Sequence, residues 1–249
     1  MRALIQNEKL KKLTILFAIC SCAIIIPVAV ISGIVRAASA SPEDKGKTVA
    51  EKPEPATETA PPEDGNTTSK GYKIENVDGV TFVDGILIVN KTYSLPEDYN
   101  PGDLTEDTQK AFDEMQEAAA EEGIKLWVQS GFRTYDRQEE LYNRYANEHG
   151  ADYAEEYSAR PGYSEHQTGL SFDVNEAGTN FEETKEGVWI DEHAHEYGFI
   201  IRFPEGKKDF TGYEFEPWHL RYVGKELAGH LRDSGECLEE YLGITSEYK

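Results

Sequence analysis

The sequence predicts an α+β fold with a small, mainly antiparallel central sheet and flanking helices. Leu104, Ala111, Phe112, Met115, Ala118 and Ala119 recur near helical spacing, and Gly123 follows as a stop signal. Short β-rich runs occur at 124–130 (IKLWVQS), 170–175 (LSFDVN), 198–203 (GFIIRF) and 217–223 (PWHLRYV). These helices and strands mix without the regular strand–helix alternation that builds a parallel sheet.

From the N-terminus, residues 1–12 are a basic segment ending in Lys9-Leu10-Lys11-Lys12, and the next 23 residues, 13–35, carry no charge. At roughly 1.5 Å per residue such a stretch spans a bilayer core of about 30 Å. The basic flank places the N-terminus in the cytoplasm and everything after Arg36 outside, at the cell membrane. A cleaved signal sequence is the other reading, because Ala38-Ser39-Ala40 matches an A-x-A cleavage pattern. The length of the apolar run favours a retained transmembrane anchor, and either reading exports the rest of the chain.

Residues 36–70 hold five prolines among Glu, Thr, Ala and Lys, with almost no large apolar side chains. Such a segment buries too little surface to offset chain entropy, so a disordered tether is expected there. The globular part is then 71–249. Within it GVTFVDGILIVN (79–90) reads as two short strands or a strand with a turn. Asp136 to Glu148 reads as a helix ended by Gly150, and a further helix is expected near 187–197. Gly224 to Leu242 reads as one or two helices.

The chain carries a formal charge of −22. Setting aside the first 36 residues, with five basic side chains and one acidic, leaves 20 basic and 46 acidic residues, a net of −26. That field repels polyanions and excludes nucleic acid as a partner of the globular part. Cys20 and Cys22 fall in the apolar stretch, so Cys237 has no partner for a disulfide in the exported region and reads as a structural thiol. A monomer held by its core or by a metal is expected.

Two of the six histidines sit in company that carries chemistry. His166 lies in SEHQTGLSFDV, with Asp173 seven residues on in a strand-like run. They converge if a turn through Thr168-Gly169 folds the chain back, and imidazole with carboxylate is a common zinc donor set. An ordinary hydrogen-bonded pair has the same spacing. His219 follows Glu216-Pro217-Trp218; strand alternation would point Trp218 and His219 to opposite faces and set Glu216 opposite His219, unless Pro217 bends the chain. If Glu216 and His219 meet, one can move a proton beside a metal held by the other; if not, this is a buried aromatic strand. His193 and His195 lie in a charged helical segment where residues two apart diverge. His149 and His230 read as solvent-facing, and Glu182-Glu183 and Glu239-Glu240 as solvated faces. The fourteen tyrosines suit either a core or a sugar–peptide groove.

Taken together, VNKTYSLPEDYNPGDL (89–104), SGFRTYDRQEELYN (130–143), ARPGYSEHQTGLSFDVN (159–175) and YGFIIRFPEGKKDFTGYEFEPWHLRYVG (197–224) resemble the VanY-type D-alanyl-D-alanine carboxypeptidases. These are zinc enzymes of the bacterial cell wall. The resemblance runs from about Gly79 to Leu242, with the motifs in family order, and implies one zinc cleft. It implies His166, Asp173 and His219 as ligands of a single zinc ion and Glu216 as the base that activates the attacking water. It further implies Arg133 as the group stabilising the oxyanion, Gln138 and Ser164 as substrate contacts, and Trp218 as an aromatic wall of the cleft.

The implied partner is the stem peptide of peptidoglycan, trimmed of its C-terminal D-alanine. A D,D bond is the preferred reading, with an L,D bond in tetrapeptide stems next. A non-catalytic peptidoglycan-binding module and a crosslink endopeptidase are the readings from other classes. Glu216 speaks against a module that only binds, because binding needs no base.

Overall fold

A computed structural model describes residues 66–248, apart from 177 and 179. The expected anchor at 13–35 and the tether up to residue 65 lie outside the described residues. Among those described, no helix is long and apolar enough to cross a membrane. Residues 66–70, expected to belong to the tether, are tied down instead. Thr67 bridges Lys73, and Ser69 Oγ donates to the Gly243 carbonyl at 2.9 Å.

Among the described residues, seven strands form two antiparallel sheets. The first is a meander of β1 (Ile74–Val77), β2 (Val80–Val83) and β3 (Ile86–Leu87). The second contains β4 (Val128–Ser130), β5 (Ser171–Val174), β6 (Phe199–Ile201) and β7 (His219–Tyr222), in the order β4-β5-β7-β6. The helices are α1 (Glu106–Glu121), α2 (Tyr135–His149), α3 (Ala151–Tyr157), α4 (Lys185–His193), α5 (Lys208–Thr211), α6 (Lys225–Ser234) and α7 (Leu238–Leu242). The α+β expectation holds, and β2 with β3 resolves the run at 79–90 into two strands. Strand β1 and helices α3 and α5 were not foreseen: β1 and α3 expose most of their length and offer little apolar period to read.

Helix α1 starts at Thr105, whose side chain accepts from the Thr108 amide. Its apolar stripe, Ala111, Phe112, Met115 and Ala119, is buried against Phe172, Val174 and Leu220 of the four-stranded sheet and Trp189 and Ile190 of α4. Phe112 meets Phe172 edge-on at 5.0 Å, and Phe172 meets Phe199 at 5.3 Å. Each such ring contributes about 1.5–3 kcal/mol by leaving water. A second cluster packs Val83 and Ile88 against Leu231, Leu238 and Leu242, seating the meander on the C-terminal helices.

The other face of β5 and β7 is polar yet buried. Ser171 pairs with Arg221 and Asp173 with His219, while Phe172 and Leu220 between them serve the core. Glu165 Oε1 accepts from Arg202 Nε at 2.8 Å and Arg221 Nη1 at 2.9 Å, and Ser171 Oγ donates to Oε2 at 3.0 Å. Arg202 then forks onto Glu239, at 2.8 and 2.5 Å, and Asn90 Nδ2 donates to the same carboxylate. Arg221 Nη2 reaches the Leu87 carbonyl at 2.6 Å and so links the two sheets. Glu239 was expected on a solvated face; it is 1% exposed because Arg202 draws it inward. Glu182 and Glu183 are exposed as expected.

Burial alone would raise the Glu165 carboxyl, but Arg202 and Arg221 hold it far below the usual carboxylate range. A carboxyl depressed in the folded state contributes stability above its unfolded pKa of about 4.3, and that contribution fades as pH falls below it. Glu165→Gln leaves the buried Arg221 guanidinium without its charge partner and Arg202 with Glu239 alone. It is expected to cost about 3–5 kcal/mol in urea unfolding at pH 7, with a smaller difference from wild type at pH 3. Gly169 closes the turn before β5 at φ +69°, where an added Cβ would lie 2.6 Å from the Asp103 carbonyl. Gly169→Ala should therefore cost about 1–3 kcal/mol in the same assay.

Candidate active site

The turn that sequence reading required between His166 and Asp173 exists. A 3-10 turn over Glu165–Thr168 ends at Gly169 in the left-handed conformation, and the chain returns along β5. His166 sits on that turn, and its Nδ1 lies 2.8 Å from the Gly131 carbonyl, which directs Nε2 towards Asp173. Nε2 stands 3.5 Å from Asp173 Oδ2. From the neighbouring strand, His219 Nδ1 stands 3.0 Å from Asp173 Oδ1.

One donor atom from each of these three residues lies within 4.8 Å of the others. Bonds of about 2.0–2.1 Å to a tetrahedral metal place ligand atoms roughly 3.3–3.4 Å apart. The spacings at Asp173 bracket that edge, so the donor set fits a metal ion. Asp173 feels burial pushing its carboxyl up, but the two imidazoles hold it far below the usual range. Burial lowers the His166 pKa. For His219 burial works the same way, but the hydrogen bond to Asp173 and the negative charge of the nearby Glu165 prevail and raise it to about 9. His219 Nε2 is 3.8 Å from Glu165 Oε2, too long for a hydrogen bond but within ion-pair range. A bound metal would take the place of the proton on Nδ1.

Glu216 lies beside this cluster, its Oε2 4.0 Å from His219 Nδ1. Strand β7 begins only at His219, and residues 216–218 form a turn in which the His219 amide donates to the Glu216 carbonyl at 3.0 Å. The alternation expected from Trp218 to His219 does not apply in that turn, and Glu216, Trp218 and His219 all line one cleft. Burial raises the Glu216 carboxyl pKa, with Asp173 adding to the rise and His219 and Arg133 opposing it.

Arg133 reaches the cleft from the segment before α2. Its amide donates to the His166 carbonyl at 3.1 Å, and its guanidinium donates to Gln138 Oε1 at 2.8 Å and Ser130 Oγ at 3.1 Å. Burial lowers the Arg133 pKa, and Asp173 and Glu216 oppose that. Gln138, expected as a substrate contact, uses its amide on protein partners; Nε2 donates to Ser158 Oγ at 3.1 Å and the Ala159 carbonyl at 2.6 Å. In this arrangement it positions Arg133. Ser164 is buried at the floor of the same cleft, whose volume is about 250 Å³.

Sequence reading did not find Phe203, Tyr163 and Tyr213, which also line the cleft. Phe203 stacks on His219 at 5.0 Å. Nor did it find Glu165, Arg202 and Arg221, although an arginine inside each of the apolar runs GFIIRF and PWHLRYV was a legible anomaly. His193 pairs with Glu196 at 3.0 Å, outside the cleft. A larger cavity of about 430 Å³ lies across the same turn, lined by Phe215 and Pro217, but it holds none of the three clustered donors. Chemistry, not size, marks the smaller one. Cys237 caps α7 with its thiol pushed up to about 11 by burial, as suits a structural residue.

The family model for VanY, D-alanyl-D-alanine carboxypeptidase, matches residues 102–225. The putative carboxypeptidase YodJ of Bacillus subtilis (strain 168) is 37% identical over 231 residues, covering 78% of this chain and 85% of that protein. Among solved structures, the LdcB LD-carboxypeptidase is 42% identical with a TM-score of 0.65, covering 71% of this chain and 98% of that one. A variant of the vancomycin-resistance D,D-pentapeptidase VanY, in complex with Zn(II), is 33% identical with a TM-score of 0.56, covering 62% and 97%. With its donor cluster, cleft and chain order all falling inside these matches, the chain belongs to the VanY family of D-alanyl-D-alanine carboxypeptidases.

Proposed function

We propose that this chain is a zinc-dependent carboxypeptidase that removes the C-terminal D-alanine from peptidoglycan stem peptides. The observation that carries the reading is the juxtaposition of His166, Asp173 and His219 with the raised carboxyl of Glu216 in one cleft. His166 Nε2, Asp173 and His219 Nδ1 would hold one zinc ion. Zinc bound there polarises the scissile carbonyl and acidifies water.

Glu216 Oε2 accepts a proton from the attacking water as its oxygen adds to the carbonyl carbon. The same proton passes to the leaving nitrogen as the C–N bond breaks, so the products are a shortened stem and free D-alanine. A carboxyl raised by burial suits both transfers near neutral pH. Arg133, fixed by Gln138 and Ser130, donates to the carbonyl oxygen as negative charge develops there. Ser164 contacts the free carboxylate that distinguishes a chain end from an internal bond, and Trp218 forms the wall. Such a substrate lies outside the cytoplasmic membrane, in keeping with the export expected from residues 13–35.

For the bond itself, with the D,D link preferred from the sequence kept as the alternative, we propose an L,D link. Its support is likeness: 42% identity and a TM-score of 0.65 to the LdcB LD-carboxypeptidase, against 33% and 0.56 for the D,D-pentapeptidase VanY. Mass spectrometry of defined muropeptides incubated with the purified protein and zinc should show tetrapeptide stems losing one alanine faster than pentapeptide stems. Faster loss from pentapeptides would return the D,D reading. Cleavage of crosslinked dimers without a free end would mean an endopeptidase, and binding without cleavage a wall-binding module.

Glu216→Ala should retain zinc in metal analysis yet lower alanine release by about 10²–10⁴-fold, because only the proton-moving group is lost. Arg133→Ala should lower kcat by about 10²–10³-fold. Release at wild-type rate in either variant would contradict the assigned roles.

A further inference from the structure

Helices α2 and α3 meet at Gly150, and that corner gathers four aromatic rings. Tyr153 lies 4.5 Å from Tyr157, 4.6 Å from His149 and 6.2 Å from Tyr145, centroid to centroid. Tyr145 and Tyr157 line the catalytic cleft, whereas Tyr153 lies beyond its rim. Tyr153 is 40% exposed and Tyr157 51%, two of the few large apolar side chains so exposed among the described residues. The corner is also held firmly. Tyr142 donates to Glu155 Oε1 at 2.5 Å, Arg160 Nε donates to the same carboxylate at 2.9 Å, and Ala154 is fully buried beneath.

A rigid row of exposed rings running out of a cleft marks a binding surface, because such area is otherwise left wet at a cost. Its surroundings select the occupant. Glu148 and Asp152 are exposed beside the rings, while Glu156 pairs with Lys208 and Arg144 stands over the Tyr145 ring, so a polyanion meets two carboxylates and no concentrated positive site. A neutral partner with flat, C–H-rich faces and hydroxyl groups at its edges meets no such penalty and can use both the rings and the flanking carboxylates. Pyranose rings have that chemistry. If the C-terminus of a stem peptide lies at Glu216, its other end and the sugar bearing it must leave along a wall of the cleft, and the rings begin on one.

We infer that Tyr145, His149, Tyr153 and Tyr157 form a stacking platform for the neutral sugar rings of the glycan strand whose stem peptide occupies the cleft. This rests on the peptidoglycan reading of the cleft. The platform gives glycan-linked stems an advantage over free peptides, and Tyr153 contributes to that advantage from outside the catalytic cleft.

The test compares kcat/KM for a stem peptide carried on its disaccharide with that for the same peptide free. Wild type should prefer the glycan-linked form, and Tyr153→Ala should reduce this preference about 3- to 10-fold, the scale of one aromatic contact. Tyr153→Trp, which keeps a ring, should restore it. An unchanged preference in Tyr153→Ala overturns the proposal, and an equal loss on both substrates assigns the rings to the peptide and overturns it too. If wild type cleaves neither substrate, the carboxypeptidase reading has failed, and the platform is then decided by binding alone. Saturation-transfer NMR with chitotetraose, a neutral N-acetyl sugar chain, should mark its C–H protons with the wild-type protein and at least about threefold less with Tyr153→Ala. No transfer to the wild-type protein's ligand overturns the platform independently of any activity.

Discussion

The site depends on the register between β5 and β7, which sets Asp173 directly opposite His219. Side chains alternate across a sheet, so the register that brings these two donors together also sends Phe172 and Leu220 to the core. A slip of one residue would bury the donors among Phe112 and Trp189 and put phenylalanine in the cleft. Core packing thus enforces donor geometry. His166 needs only the Gly169 turn to join them, since that turn connects it to β5 itself.

The polar face of this pair is made tolerable by the ions behind it. Glu165 lies between two guanidinium groups and next to His219, and Arg202 carries the chain of charges on to Glu239 of α7. Buried pairs of this kind recover their desolvation cost only with good geometry, and here each carboxylate accepts from more than one donor. The network also explains why the C-terminal helices and the first sheet belong to the catalytic unit. Arg221 and Arg202 join both to the strand that bears His219.

Much of this was legible in the sequence, and unevenly. The stripe from Ala111 to Ala119 and the runs around Phe172, Phe199 and Leu220 have clear periods because they face a common core. The donors His166, Asp173 and His219 were ambiguous by spacing alone and became specific only as parts of four ordered motifs. Glu239 was misread because a carboxylate beside another carboxylate looks solvated until the arginine that buries it is placed. Strand alternation, carried through the turn at 216–218, would have parted Trp218 and Glu216 from His219; only the family resemblance pointed Trp218 to the cleft. Gln138 was found as a substrate contact, but its amide is taken up by Arg133, Ser158 and the Ala159 carbonyl, and the partners twenty residues on have no signature in the local sequence.

The most direct measurement is a competition titration of zinc between the purified full chain and a chromophoric chelator, for wild type and Asp173→Ala. One zinc per wild-type chain is expected, with affinity at least about 100-fold weaker in Asp173→Ala, because the residue that both imidazoles face is gone. Equal affinities in the two proteins, or no zinc bound by the wild type, would contradict a metal site built on the pairing of β5 with β7.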